Sequence, residues 1–446
     1  GISTAVGMAL AEAHLNQNYG GVIDHFTYVI CSDGDLMEGV SHEAASLAGH
    51  LGLGKLVCLY DDNEITIDGR TDISFTEDVL QRFEAYGWHV DRVEDGTDVD
   101  AIDEAIARAK DVEDMPSLIS VQTIIGHGSP NKADKSAAHG APLGEEEIAR
   151  TKENLGWGWD EPFYVPDQAR SHMEEAVDRG EEQQQAWREA LAAYLDEDAE
   201  KHSELMRRLA GELPDGWDEG LPDFEPSDSG MATRKASGAV IEQLYDRLPE
   251  LVGGSADLAG SNKTLFEEYG VIQPGEYGGQ NMHFGVREHA MCTIANGMNL
   301  HGGVRGFGAT FLIFSDYMRP AIRLGALMET PTLMVFTHDS IGLGEDGPTH
   351  QPIEQIASLR AIPNYMLLRP ADANEVRECW KLAIDNREGP SGLVLTRQSV
   401  PTFDRSDLNG QGDASRGGYI LADADNGEPD VILIDGGLGQ VRAAAA

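Results

Sequence analysis

The chain has 446 residues, room for roughly two to four domains, and its 41% hydrophobic content is enough for large cores. It carries 77 acidic against 33 basic residues, a formal net charge of -44. That charge repels nucleic acids and anionic membranes, and no apolar run reaches the ~18 residues of a membrane span.

In chain order, the opening "GISTAVGMALAEAHL" lacks a basic n-region and shows helical spacing near 4–15, so it is not a signal peptide. With no initiator Met, the chain is expected to begin inside a domain. Strand patterns follow at 26–31, 55–60 and 117–123, with helices near 41–51 and 75–86. This alternation predicts an α/β fold, a parallel sheet flanked by helices. Residues 170–210 read as long charged surface helices, and 212–230, rich in Pro, Gly and Asp, as a linker. A second α/β region follows: a helix at 234–248, strands near 250–252 and 280–284, a helix at 286–300, and strands at 331–339 and 391–398. Residues 403–428 are acidic and Gly-rich, and "DVILIDGG" (430–437) reads as the first strand of a third α/β domain. The expected division is therefore 1–211, a linker at 212–232, 233–405, and 406–446.

The acidic excess with few lysines suggests a protein working in high salt, where repulsion is screened within a few Å. Cys31, Cys58, Cys292 and Cys379 form no CxxC pair. They read as buried, reduced thiols of a cytoplasmic protein.

The chemistry begins at "SDGDLMEG" (32–39), where Asp33, Asp35 and Glu38 crowd the end of an apolar strand. Ligands bind at the carboxyl ends of parallel strands. Bare carboxylates repel phosphate, and a divalent cation resolves the conflict: Asp33 can hold Mg²⁺ or Ca²⁺ while diphosphate oxygens hold its other face. Gly34 lets the backbone approach closely. The next strand ends in "DDNEI" (61–65), one strand-helix-strand unit on. It places Asn63 beside Asp33, and the Ile65 carbonyl would complete three protein ligands.

This pair resembles the thiamine-diphosphate fingerprint, in which Gly-Asp-Gly precedes an Asn by some thirty residues. More closely, the chain is similar to the transketolase family along almost its whole length. The stretches are "MEGVSHEAASLAGHLGLGKLVCLYDDNEITIDG", "GSPNKADKSAAHGAPLG", "GGSADLAGSN", "FGVREHAMCTIANGMNLHGG" and "THDSIGLGEDGPTHQP". The resemblance implies two thiamine-diphosphate-binding-type domains with Mg²⁺ or Ca²⁺ at Asp33, Asn63 and Ile65. Gly34 and His139 would contact the diphosphate, and Ile67 and Asp257 would also line the cofactor. Glu288 matches the carboxyl group that hydrogen-bonds the aminopyrimidine N1′ and so promotes loss of the thiazolium C2 proton. Phe311, Phe314 and Tyr317, three residues apart on an expected helical face, match the pyrimidine pocket.

The same resemblance implies sugar-phosphate binding by Arg234, Ser261, His338, His350 and Arg397, with Asp346 reading hydroxyl stereochemistry. His350 and His139 would join Glu288 in catalysis. Glu38 and Glu43 would couple two active sites across a homodimer. The implied activity moves a two-carbon ketol unit from a ketose phosphate to an aldose phosphate. A dihydroxyacetone-synthase-like acceptor, or a non-catalytic truncated or split subunit, are the alternatives. The chain departs from the pattern at Ser32, where the fingerprint has Gly. On this resemblance, the family's N-terminal stretch and most of its C-terminal domain are expected to be missing. Asp35 matches no family position and is assigned to the general acidic bias.

Overall fold

The computed structural model describes residues 1–405 and 414–417. The strand expected at 430–437, and with it the third domain, lies outside the described residues. The chain forms two compact units. The first comprises Gly1–Ile2 and Asn18–Met206, and the second Ser3–Gln17 together with the chain from Arg207.

The first helix, α1 (Ile2–Tyr19), gives most of its length to the second unit. In the first unit the order is β1 (Thr27–Ser32), α2 (Asp33–Met37), α3 (Gly39–Leu51), β2 (Leu56–Asp62), α4 (Val79–Ala85), β3 (His89–Val93), α5 (Val99–Lys110) and β4 (Ser117–Gln122). The sheet order is β1-β2-β4-β3, and every pairing is parallel. Val57, Ile119 and Val121 pack with Ala105 and Ala109 of α5, so the strands are apolar where a helix covers them. The sequence reading did not anticipate β3 and α5. The strand "HVDRV" sits at the sheet edge and mixes charged with apolar positions. Beyond β4 come α6 (Glu145–Asn154), α7 (Asp167–Glu197) and α8 (Ala199–Leu209). No residue of α7 is buried, matching the charged surface helix expected there.

The second unit continues with β5 (Ser227–Ala232), α9 (Thr233–Arg247), β6 (Leu251–Ser255), α10 (Ala259–Asn262), β7 (Asn281–His283), α11 (Glu288–His301), β8 (Arg305–Phe311), α12 (Ser315–Leu327), β9 (Leu333–Thr337), α13 (Gln355–Arg360), β10 (Met366–Leu368), α14 (Ala373–Asp385), β11 (Ser391–Val394) and β12 (Ser399–Thr402). Six strands form a parallel sheet in the order β10-β11-β9-β8-β6-β7. Strands β5 and β12 pair antiparallel on their own.

Helices α9 and α14 cover one core, built around Trp380, Tyr245, Phe307 and Leu393. The Trp380 indole N–H donates to the Ser237 hydroxyl at 2.9 Å, satisfying its one polar atom. The α1 stretch crosses α11 at glycines. A Cβ on Gly7 would stand 2.1 Å from the Ile294 carbonyl oxygen, and one on Gly297 2.1 Å from that of Thr4. All four cysteines are buried and free of disulfides. Among the described residues no helix is long and apolar enough to cross a membrane.

Candidate active site

Two groups of residues at carboxyl ends of parallel strands carry the candidate chemistry, one in each unit. In the first, β1 and β2 pair with Ser32 opposite Asp61, so Asp33 and the Asp62-Asn63 turn leave the sheet side by side. Asp33 is 2% exposed. Its Oδ1 accepts a hydrogen bond of 2.6 Å from the Tyr60 hydroxyl, while Oδ2 is buried with no hydrogen-bond partner. Burial raises the Asp33 carboxyl above its usual range, the Tyr60 hydroxyl opposes that rise, and Asp62 adds to it.

An unpartnered buried carboxylate oxygen is costly, and a divalent cation supplies the missing charge. The neighbours suit one. Asn63 Oδ1 accepts the Ile65 N–H at 3.0 Å, closing a local turn beside Asp33. No group of three His, Cys, Asp or Glu side chains able to hold a metal occurs among the described residues. The candidate donors, the Asp33 carboxylate, the Asn63 amide and the Ile65 backbone carbonyl, are all oxygen. That is hard-cation chemistry. A Cβ on Gly34 would meet open space, so the backbone there stays approachable.

A cavity of about 480 Å³ adjoins this group, lined by Asp33, Tyr60, Asp62, Glu64, Arg70 and Ser120 among others. Ile67, 75% exposed, and His139, exposed beside the short turn Ser136–Ala138, do not line it. Glu38 is exposed at the start of α3, and Glu43 is half-buried within it. Asp35 is not mere acidic bias. Its carboxylate accepts from the Ser32 N–H at 2.9 Å and the Ser32 hydroxyl at 3.0 Å, clasping the first turn of α2.

In the second unit, Phe311, Phe314 and Tyr317 do not share a helical face. Strand β8 runs through Phe311, Phe314 lies in a 3-10 turn (Leu312–Phe314), and α12 begins only at Ser315. The fully buried β8 position overrides the i, i+3 spacing. The rings still meet. Phe311 and Phe314 lie 6.0 Å apart and nearly parallel, and Phe314 and Tyr317 6.1 Å apart, with Tyr317 63% exposed.

Phe311 also stacks on His338 at 3.6 Å, and Phe314 meets His350 edge-on at 5.3 Å. His338 is buried and has φ +59, a left-handed conformation rare outside glycine. Burial first, then the Arg234 charge, hold its imidazole down to about 4; Asp346 opposes and Arg397 and His350 reinforce. Arg234 donates to the Ser261 carbonyl at 2.6 Å, and its Nε is buried without a partner. Its guanidinium pKa is lowered by burial and by Arg397. Asp257, exposed after β6, also has φ +59. Glu288 is buried as the first residue of α11. The sequence reading gave no role to Tyr60, Asn262 and Thr337, although they lie within the quoted stretches, because they act through hydrogen bonds to Asp33, Ser255 and His338.

Residues 1–214 match the family described as "Transketolase, thiamine diphosphate binding domain", and residues 229–402 the family described as "Transketolase, pyrimidine binding domain". The chain belongs to the transketolase family. The transketolase of Bacillus subtilis is 51% identical over 442 residues, and that of Nostoc 53% over 445, each match covering 98% of this chain. A solved Pichia stipitis transketolase, in complex with sedoheptulose 7-phosphate, superposes with TM-score 0.92 at 45% identity over 95% of this chain. The chain spans 66% of the length of those two curated relatives and 64% of that structure.

Proposed function

We propose that this protein is a transketolase, transferring a two-carbon ketol unit between sugar phosphates with thiamine diphosphate and Mg²⁺ or Ca²⁺. The observation that carries this reading is the positive charge in the second unit. In a chain of net charge -44, Arg234 and Arg397 converge on His338 beside the Phe311 and Phe314 rings. Two guanidiniums suit a phosphate anion.

Asp33, Asn63 and the Ile65 carbonyl would hold the metal, with Gly34 and His139 toward the diphosphate. Ile67, Asp257, Phe311, Phe314 and Tyr317 would surround the rings. When bound, thiamine diphosphate supplies the nucleophilic carbon and the electron sink. Glu288 would hold a proton against the aminopyrimidine N1′, its burial keeping water from competing. Ser261, Arg234, Arg397 and His338 would grip the phosphate, while Asp346 and His350 orient the sugar hydroxyls.

Each site would draw its metal group from one chain and its Glu288 group from a second copy, with Glu38 and Glu43 at that boundary. A homodimer, a cytoplasmic location and a division near 212–232 belong to the same reading. The test is turnover of a ketose phosphate with ribose 5-phosphate or formaldehyde as acceptor, in the presence of thiamine diphosphate and Mg²⁺. Preference for ribose 5-phosphate is expected; preference for formaldehyde would favour a dihydroxyacetone-synthase-like enzyme. Glu288→Gln should lower kcat by about 10²–10⁴-fold. Unchanged turnover in that variant would remove Glu288 from the chemistry.

A further inference from the structure

A line of buried side chains runs behind His338. The Ser255 hydroxyl donates to the Ala309 carbonyl at 3.0 Å, which spends its one proton. Ser255 Oγ must then accept from Asn262 Nδ2 at 2.7 Å, so Asn262 turns its oxygen to Thr337, whose hydroxyl donates to it at 2.7 Å. Thr337 Oγ1 lies 2.8 Å from His338 Nδ1. With the threonine proton committed, that contact requires His338 to carry its proton on Nδ1. Ser255, Asn262 and Thr337 are each at most 1% exposed, so water does not offer an alternative partner.

We propose that Ser255, Asn262 and Thr337 are positioning residues that lock His338 as the Nδ1–H tautomer, so that Nε2 faces the anion cleft as a hydrogen-bond acceptor. A phosphate dianion offers only acceptors and cannot bond such a nitrogen. The monoanion carries one P–OH and can, so the phosphate enters with a proton that it shares with Nε2 while Arg234 and Arg397 take its other oxygens. Asp346 and His350 are the remaining titratable groups whose charges reach the ring. At neutral pH the ring is neutral, since burial and Arg234 keep its pKa near about 4. This inference rests on the sugar-phosphate reading only for the identity of the anion.

The test has two arms. Two-bond ¹H–¹⁵N correlation spectra, with His338 assigned by its loss in His338→Gln, should show the Nδ1–H pattern. Thr337→Ser should keep it, and Thr337→Val should bring in the Nε2–H form. Titration with ribose 5-phosphate should show Kd weakening about tenfold per pH unit above the phosphate's second pKa of about 6, with a flatter slope in Thr337→Val. An Nε2–H tautomer in the unmodified chain would overturn the lock, with or without a foldable valine variant. A pH-independent Kd beside an Nδ1–H ring would overturn the proton-sharing role. Absence of ribose 5-phosphate binding with the Nδ1–H ring intact supports the lock and counts against the sugar-phosphate reading.

Discussion

Asp33 places a carboxylate oxygen where folding alone leaves it unanswered, with Tyr60 satisfying only the other oxygen. Removing the charge should therefore help the metal-free protein and harm the loaded one. Asp33→Asn is expected to raise metal-free stability by about 1 kcal/mol and to abolish the Tm increase that Mg²⁺ with thiamine diphosphate gives the unmodified chain. Paired melting curves check both; an undiminished ligand-induced increase would place the metal elsewhere. Asp33 and Asn63 were legible because the proposed metal site would leave a sequence spacing. Tyr60 was not, because it acts across space on Asp33, 27 residues away, and Thr337 was not, because its proton is committed to Asn262, which the chain order does not place beside it. The Ser32 departure and Asp35, read from the sequence as acidic bias, turn out to be one feature, a serine clasped by the acid three residues on.

Elements were readable where the sequence was uniformly apolar or uniformly charged. Strands β1, β2 and β4 announced themselves as apolar runs, and α7 as a charged helix. Strand β3 did not, because Asp91 and Arg92 interrupt its apolar positions, whereas β1, at the other edge, keeps an apolar run. The aromatic spacing at 311–317 misled because an i, i+3 pattern cannot distinguish a helical face from a strand that ends in a turn. The partnership of α1 with α11 was invisible as well, since glycine signals a close crossing only once both helices are in place. Gly297→Ala puts a methyl 2.1 Å from the Thr4 carbonyl oxygen, closer than any contact permits. It should cost about 1–3 kcal/mol by chemical denaturation, while Gly39→Ala, with open space around it, should cost far less. Equal losses would mean that the crossing is loose.

At the scale of the molecule, 77 acidic side chains must coexist with a folded state, and exposed helix α7 holds many of them. Self-repulsion destabilises compact states and is relieved by salt. We propose that the chain is adapted to high salt: its Tm should rise by several degrees from low to molar KCl, and a flat or falling curve would remove that reading. The two units add a different constraint. Ser3–Gln17 is made early, yet Ile294 and Gly297, against which its Gly7 packs, follow only after the entire first unit. During synthesis, α1 therefore leaves the ribosome with an apolar surface that must wait while another unit folds, a transient exposure of the kind chaperones cover.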